Sequence, residues 1–331
     1  MPFSNVPVEI CNAIQAATRI GLVGHVTPDA DCLGSIAALW LALPELGHHP
    51  CAFVPESTVS RRLSFLLRHA GLTAAPAGEL DACDLVIVVD TAKERRVNLE
   101  GKWESLLAKP LLNIDHHSTN TRFGKWNWVN SHAASSCEMV YELLRALNCQ
   151  VTPTIATLLF AGLHTDTQGF SLASTTAHTL AIAHDLAGAG ARISEVCERL
   201  HRSQSKPEFD LVKVIYANTR VTPDGRLAWS SASYDEITAA GCTAGDIENQ
   251  VEIPRSIEGI SAAILFSEGH PRKIRINFRG EGTVPILNLA QQFGGGGHIH
   301  SAGAMLDGDL REIESRIVEA ATRFLSDLPR V

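Results

Sequence analysis

Residues 85–90, LVIVVD, form an unbroken apolar run that stops on an acid. A short run that is apolar at every position suits a strand covered on both faces, as in a parallel sheet. Three further stretches finish the same way. Ile20–Asp31 passes through GHVTPDAD, Pro110–Asp115 runs straight into His116 and His117, and Leu158–Asp166 closes on HTD. Ligands of open α/β sheets bind at the carboxyl ends of strands. Acids and histidines placed there repeatedly predict one polar centre gathered from distant parts of the chain.

The pattern around these runs supports that architecture. Strands are expected over 19–25, 49–54, 84–90 and 110–115, with helices over 8–17, 31–46 and 59–69 between and before them. Such alternation predicts a parallel sheet with right-handed crossovers. From 134 to 200 the periodicity is helical. The polar stretch RSQSKP, 202–207, reads as a linker, followed by a helix over 208–218. Beyond it, strand-like segments at 226–233, 259–266, 272–278 and 302–306 mix with helices at 284–293 and 310–324. A chain of 331 residues exceeds what one core usually holds. The expectation is α/β throughout: an N-terminal parallel-sheet domain with flanking helices, and a smaller mixed-sheet α/β C-terminal domain. The boundaries are 1–200 for a catalytic domain, 201–210 for a linker and 211–331 for a substrate-binding domain.

Composition excludes some classes. A net charge of −8 argues against a large basic surface for long duplex nucleic acid. Eight cysteines without a Cys-x-x-Cys pair suit buried free thiols better than a zinc ribbon or disulfide scaffold. No leader-like segment opens the chain, and no apolar stretch approaches the roughly 18–20 residues of a membrane span. These features place the protein in the cytoplasm, away from membranes.

The centre itself would draw on His25, Asp29 and Asp31, with Pro28 favouring an extended turn ahead of the next helix. Carboxylates so close repel unless a cation or proton intervenes. Asp31 alone could instead be a helix N-cap. Asp90 is the candidate to bridge two ions. Adjacent histidines on an extended chain point to opposite sides, so His116 would ligate while His117 faces substrate or a second layer. Asp166 ends an apolar helix, where a carboxylate needs a partner. Imidazole and carboxylate ligands suit Mn²⁺ or Mg²⁺, and no thiolate stands among them to favour zinc. Two such ions can generate a hydroxide and clamp both oxygens of an in-line phosphoryl displacement. His48 and His49 read as a solvated loop pair, and His164 as structural. Near the end, FGGGGHIHSAGA puts backbone N–H groups of Gly295, Gly296 and Gly297 within reach of an anion, with His298 as a further donor. Arg279 could grip a phosphate bidentately.

Taken together, GHVTPDADCLGS, VVD, NIDHHSTN followed by FG, AASSCE, a TDT segment, and GGGGH with AGA resemble the DHH phosphoesterase superfamily. The tail resembles the type-one DHH-associated C-terminal domain, and the whole resembles the NrnA-like group. That resemblance implies hydrolysis of short oligoribonucleotides, linear dinucleotides such as pApA, and 3′-phosphoadenosine 5′-phosphate by a metal-bound hydroxide. It implies two Mn²⁺ ions, with Mg²⁺ as an alternative. His25 and Asp29 would hold one ion, Asp31 and His116 the other, with Asp90 bridging and Asp166 at the same centre. Asp115 would orient the second layer, and His117 would contact substrate or steer the leaving group. Arg96, Arg279, His298 and the glycine run would meet substrate, the C-terminal domain closing over it. A homodimer is one form open to such a chain. A stand-alone cyclic-di-AMP or dinucleotide phosphodiesterase, and a nucleotide-sensing protein without turnover, are the rival readings. Gln168 stands where the family commonly has glycine, and His300 and Ser301 are less usual in the glycine motif; these leave substrate preference open.

Overall fold

The computed structural model describes residues 6–54, 59–97, 106, 108–201, 205–247 and 250–329. Two compact units divide the chain, Met1–Ser203 and Gln204–Val331.

In the first unit α1 (Val8–Gln15) leads into β1 (Arg19–Val23), α2 (Ala30–Ala42) and β2 (His49–Phe53). Then come α3 (Ser64–Ala70), β3 (Leu85–Val89), β4 (Leu111–Asp115) and β5 (Trp126–Val129). The described strands form one parallel sheet in the order β2-β1-β3-β4-β5. Every residue of β3 and β4 is buried; for the all-apolar β3 that is what its composition requires, while β4 also buries Asn113 and Asp115. The chain order reverses direction between β1 and β3. At that switch point neighbouring strands send their following loops apart and leave a crevice at their carboxyl ends.

Among the described residues, four further helices follow in this unit: α4 (Ser136–Ala146), α5 (Pro153–Asp166), α6 (Ala177–Gly188) and α7 (Ile193–His201). Pro153 occupies the first turn of α5, where its missing N–H costs little, and Thr152 caps that helix. The α2–α5 crossing is unusually close because glycines face it. A Cβ on Gly34 would lie 2.5 Å from the Leu158 carbonyl, and one on Gly162 would lie 2.8 Å from Asp31 Cα.

The second unit opens with α8 (Lys206–Ala217). Ser205 and Glu208 form a capping box that starts this helix two residues earlier than expected. Positions 206–210 are therefore helical rather than linker. Residues 202–204 of the expected linker lie outside the described residues. There follow β6 (Arg220–Val221), β7 (Leu227–Ala232), α9 (Tyr234–Ala239), β8 (Ala262–His270) and β9 (Lys273–Gly280). The unit ends with α10 (Ile286–Gln291), β10 (Gly296–His298), β11 (Ser301–Asp307) and α11 (Leu310–Ser326). The described strands make a mixed sheet, ordered β10-β11-β9-β8-β7-β6, in which only β7 and β8 run parallel. Phe266, Ile276, Phe278 and Ile317 fill its core. The α/β class and the parallel and mixed sheets agree with the sequence pattern. Strand β5, which lacks an apolar run, and the short helix α9 escaped it.

His48 corrects one reading. It is buried rather than solvated, with Nδ1 2.8 Å from the Ala17 carbonyl. No helix among the described residues is long and apolar enough to cross a membrane.

The glycine crossing yields a test. Gly162→Ala should force α5 away from α2 and cost about 1–3 kcal/mol of stability, as overpacking does. Urea unfolding of wild type and variant measures this. A Gly188→Ala control, where a Cβ meets nothing, should leave stability nearly unchanged.

Candidate metal centre

Three neighbouring strands deliver the central residues. His25 lies two residues past β1, Asp90 directly follows β3, and His116 directly follows β4. Helix α2 brings Asp29 as its N-cap, accepting from the backbone N–H groups of Asp31 and Cys32. Asp31 is therefore not the cap and not in a loop: it sits in the first turn of α2, fully buried. Asp166 is the last residue of α5.

Asp90 stands in the middle. Its Oδ2 is 3.3 Å from His25 Nε2 and its Oδ1 is 3.4 Å from His116 Nε2. His25 Nε2 also lies 3.8 Å from Asp29 Oδ2. His116 Nε2 lies 3.1 Å from Asp166 Oδ2 and 3.7 Å from Asp31 Oδ2. All six residues expected as ligands therefore meet in one place. One donor atom from each of Asp31, His116 and Asp166 falls within 4.8 Å of the others. Asp90 takes a left-handed backbone with φ 51°. Asp tolerates that region better than most residues, and the turn aims the carboxylate across both histidines.

The electrostatics are those of crowded acids. Burial, then the neighbouring Asp166 and Asp90, push the Asp31 carboxyl well above its usual range. Asp166 is lifted to about 6, by burial and by the Asp29 and Asp90 charges, against the pull of His116. Burial would raise Asp90 too, but His116 and His25 outweigh it and hold this carboxyl well below its usual range. Burial would depress His25, yet the Asp29 and Asp90 carboxylates lift it to about 9. His116 is raised in the same way by Asp166 and Asp90. The raised Asp31 and Asp166 carboxyls mark a place where cations would relieve the repulsion. A donor set of four carboxylates and two imidazoles fits hard divalent ions.

Support for these side chains comes from residues to which the sequence assigned no role. Asp31 accepts from the backbone N–H groups of Ser136 (2.6 Å) and Cys137 (2.8 Å), at the N-terminus of α4. A helix N-terminus favours a negative charge there. Ser136 Oγ also donates to Asp90 Oδ1, at 3.3 Å. The Asn120 amide donates to Asp115 Oδ2 (2.5 Å) and Asn113 Oδ1 (2.7 Å), tying the turn after β4 to the strand. The Ser-Ser-Cys that opens α4 and the two asparagines of NIDHHSTN were the available signals.

Two expectations need correcting. The two histidines do not point to opposite sides, because the chain leaves β4 at Asp115. Their rings sit edge to face 4.9 Å apart. His117 Nδ1 donates to Asp115 Oδ1 at 2.8 Å and lies 3.6 Å from Asp90 Oδ1. Nor is the centre without a thiol. Cys32, one turn into α2, brings Sγ close to His25 and Asp90, with one donor atom of each within 4.8 Å of the others. Burial, then Asp90 and Asp29, push this thiol well up.

Of the expected substrate residues in this unit, Arg96 reaches the centre: its Nη2 is 3.5 Å from His25 Nδ1. In the second unit Arg279 lies in β9 with little exposure, its Nε donating to Glu252 Oε1 at 3.3 Å. Burial lowers its pKa against the influence of Glu252. Gly296, Gly297 and His298 form β10, paired with β11. A Cβ on Gly295 would lie 2.4 Å from the Gly303 carbonyl. Close strand packing therefore already requires part of that glycine run. His164, read as structural, is buried against Phe160 and Phe170.

Comparison with known proteins accords with this geometry. The model of the DHH family N-terminal domain matches residues 19–163, and that of the DHHA1 domain matches 230–327. The bifunctional oligoribonuclease and PAP phosphatase NrnA of Thermus thermophilus is 31% identical over 324 residues, spanning 96% of this chain and 93% of the relative. The chain belongs to the DHH family. The NrnA protein of Bacillus subtilis is 30% identical to this DHH-family chain over 311 residues, 90% of this chain and 92% of the relative. An exopolyphosphatase-related protein from Bacteroides fragilis shares the fold, with a TM-score of 0.84 at 22% identity over 97% of this chain and 95% of that one. As a DHH-family member the chain is a hydrolase of the phosphoesterase class. The family is metal-dependent, and the clusters above could hold metal.

A protonated His25 must lose its proton to ligate. With its pKa near 9, affinity for a divalent cation should fall as pH drops from 9 to 6, by up to about tenfold per unit for each proton displaced. Calorimetric titrations in buffers of different ionisation enthalpy would show the released protons. An affinity independent of pH would contradict the assignment.

Proposed function

We propose that this chain is a two-metal phosphoesterase acting on short oligoribonucleotides, linear dinucleotides such as pApA, and 3′-phosphoadenosine 5′-phosphate. The observation that carries this reading is Asp90, whose two oxygens face His25 and His116 separately, 3.3 and 3.4 Å away. A carboxylate so placed suits a bridge between two ions. In this reading His25 and Asp29 hold one Mn²⁺, Asp31 and His116 hold the other, and Asp166 completes the centre. Mg²⁺ is the alternative ion. Bound there, such ions would lower the pKa of water and neutralise charge on a phosphoryl group.

The protein's own groups supply the rest. Asp115 orients the His117 ring, which we assign to the substrate phosphate or the departing oxygen. Arg96, beside His25, adds a cation for a non-bridging oxygen. In the second unit Arg279, His298 and Gly295–Gly297 are assigned to gripping substrate; Arg279 presents a planar guanidinium suited to phosphate. The named activities of the Thermus thermophilus and Bacillus subtilis relatives support this substrate class.

The deciding experiment compares kcat/KM on a dinucleotide, a five-nucleotide RNA and 3′-phosphoadenosine 5′-phosphate, with and without Mn²⁺. Turnover of all three is expected, abolished by chelation and restored by Mn²⁺. Asp90→Asn and His116→Ala should each lower kcat/KM by about 100-fold or more, with bound metal per chain falling from two. Full activity of His116→Ala on all three substrates would sink the metal assignment. Hydrolysis confined to cyclic di-AMP, or nucleotide binding without turnover, would favour the rival readings instead.

A further inference from the structure

Nothing in the spacing of the motifs marks a sulfur for this centre, yet the fold puts one there. Cys32 occupies the third position of α2, fully buried, while His25 and Asp90 are 6% and 2% exposed. One donor atom from each of the three lies within 4.8 Å of the others. The thiol reaches this position because residue 24 is glycine: a Cβ there would stand 2.1 Å from Cys32 Sγ. Two strand ends and the first turn of a helix thus converge on a thiol, an imidazole and a carboxylate.

That trio differs in kind from the rest of the centre. Oxygen-rich sets suit Mn²⁺ and Mg²⁺, which have little demand for sulfur. Cysteine, histidine and carboxylate together are ligands that zinc accepts, and softer ions prefer the thiolate. We propose that Cys32, with His25 and Asp90, forms a second binding mode of this centre, specific for thiophilic divalent ions such as Cd²⁺, Co²⁺ or Zn²⁺. On binding, the Cys32 S–H bond breaks, a sulfur–metal bond forms and the proton leaves to water; no electrons are transferred. Hard ions leave the thiol protonated and unused. Because His25 and Asp90 serve both modes, a thiophilic ion displaces Mn²⁺ and inhibits. The inference rests on the metal-centre reading above, and the test separates the two.

The full-length, metal-free protein is titrated with Mn²⁺ by calorimetry, and with Co²⁺ and Cd²⁺ by ultraviolet absorption. A sulfur-to-metal charge-transfer band is expected with Co²⁺ and Cd²⁺, saturating at one thiolate per chain. It should vanish in Cys32→Ala and persist in Cys137→Ala, whose thiol contacts the Asp31 carbonyl at 3.4 Å. Mn²⁺ binding by Cys32→Ala should match wild type, which also shows that the variant folds. Normal Mn²⁺ binding without a band, or a band that survives in Cys32→Ala, overturns the second mode alone. Failure of wild type to bind Mn²⁺ at all overturns the metal-centre reading with it. If Cys32→Ala does not fold, cadmium X-ray absorption of wild type decides: one sulfur among lighter ligands supports the mode, and a shell of oxygen and nitrogen alone refutes it.

Discussion

Mutual repulsion among buried carboxylates is the constraint on which the first unit depends. Asp31 and Asp90 are almost wholly removed from water, with Asp29 and Asp166 beside them. Burying such charges unpaired would cost several kcal/mol each. The fold offsets part of that with dipoles and imidazoles. The α4 N-terminus donates two backbone N–H groups to Asp31, and His25 and His116 flank Asp90. The pairing lowers the proton affinity of Asp90 and raises that of His25 and His116, and what remains of the repulsion appears as raised proton affinity at Asp31 and Asp166. A centre poised in this way has more to gain from a cation than a relaxed one would.

Backbone geometry serves the same end. The left-handed φ of Asp90 is a local strain of the order of 1–3 kcal/mol at most. It turns the chain sharply after β3, so that one carboxylate can face the ends of both neighbouring strands. At the opposite wall, Gly162 lets α5 approach α2 until Asp166 and Asp31 both come within 4 Å of His116. Stability is given up at these points for position, the usual trade at a reactive site.

The second unit follows another logic. Its sheet is largely antiparallel, and its glycine-rich segment is a strand before it is anything else. Gly295 and Gly297 leave no room for a Cβ against Gly303, Ala290 and Ser301 backbone oxygens. Glu252, which also pairs with Arg255, accepts from Arg279, whose guanidinium is thus partly engaged within its own unit. A phosphate bound there would have to compete with Glu252.

Much of this was legible in the residues themselves. An apolar run such as LVIVV can only be satisfied by burial on both faces, so the strands, their parallel arrangement and the acids at their ends followed from local chemistry. That His25, Asp29, Asp31, Asp90, His116 and Asp166 gather at one place was anticipated from motif order along the chain; their role as ligands is the reading proposed above. Other features depended on atoms far apart in sequence. That Asp29 rather than Asp31 caps α2, that His117 turns back toward Asp90, and that Ser136 and Cys137 hold Asp31 are outcomes of how helices seat on the sheet. Cys32 is the sharpest case. Its neighbours along the chain mark it as an ordinary helix residue, and only the space left by Gly24 and the approach of β3 bring its sulfur to His25 and Asp90.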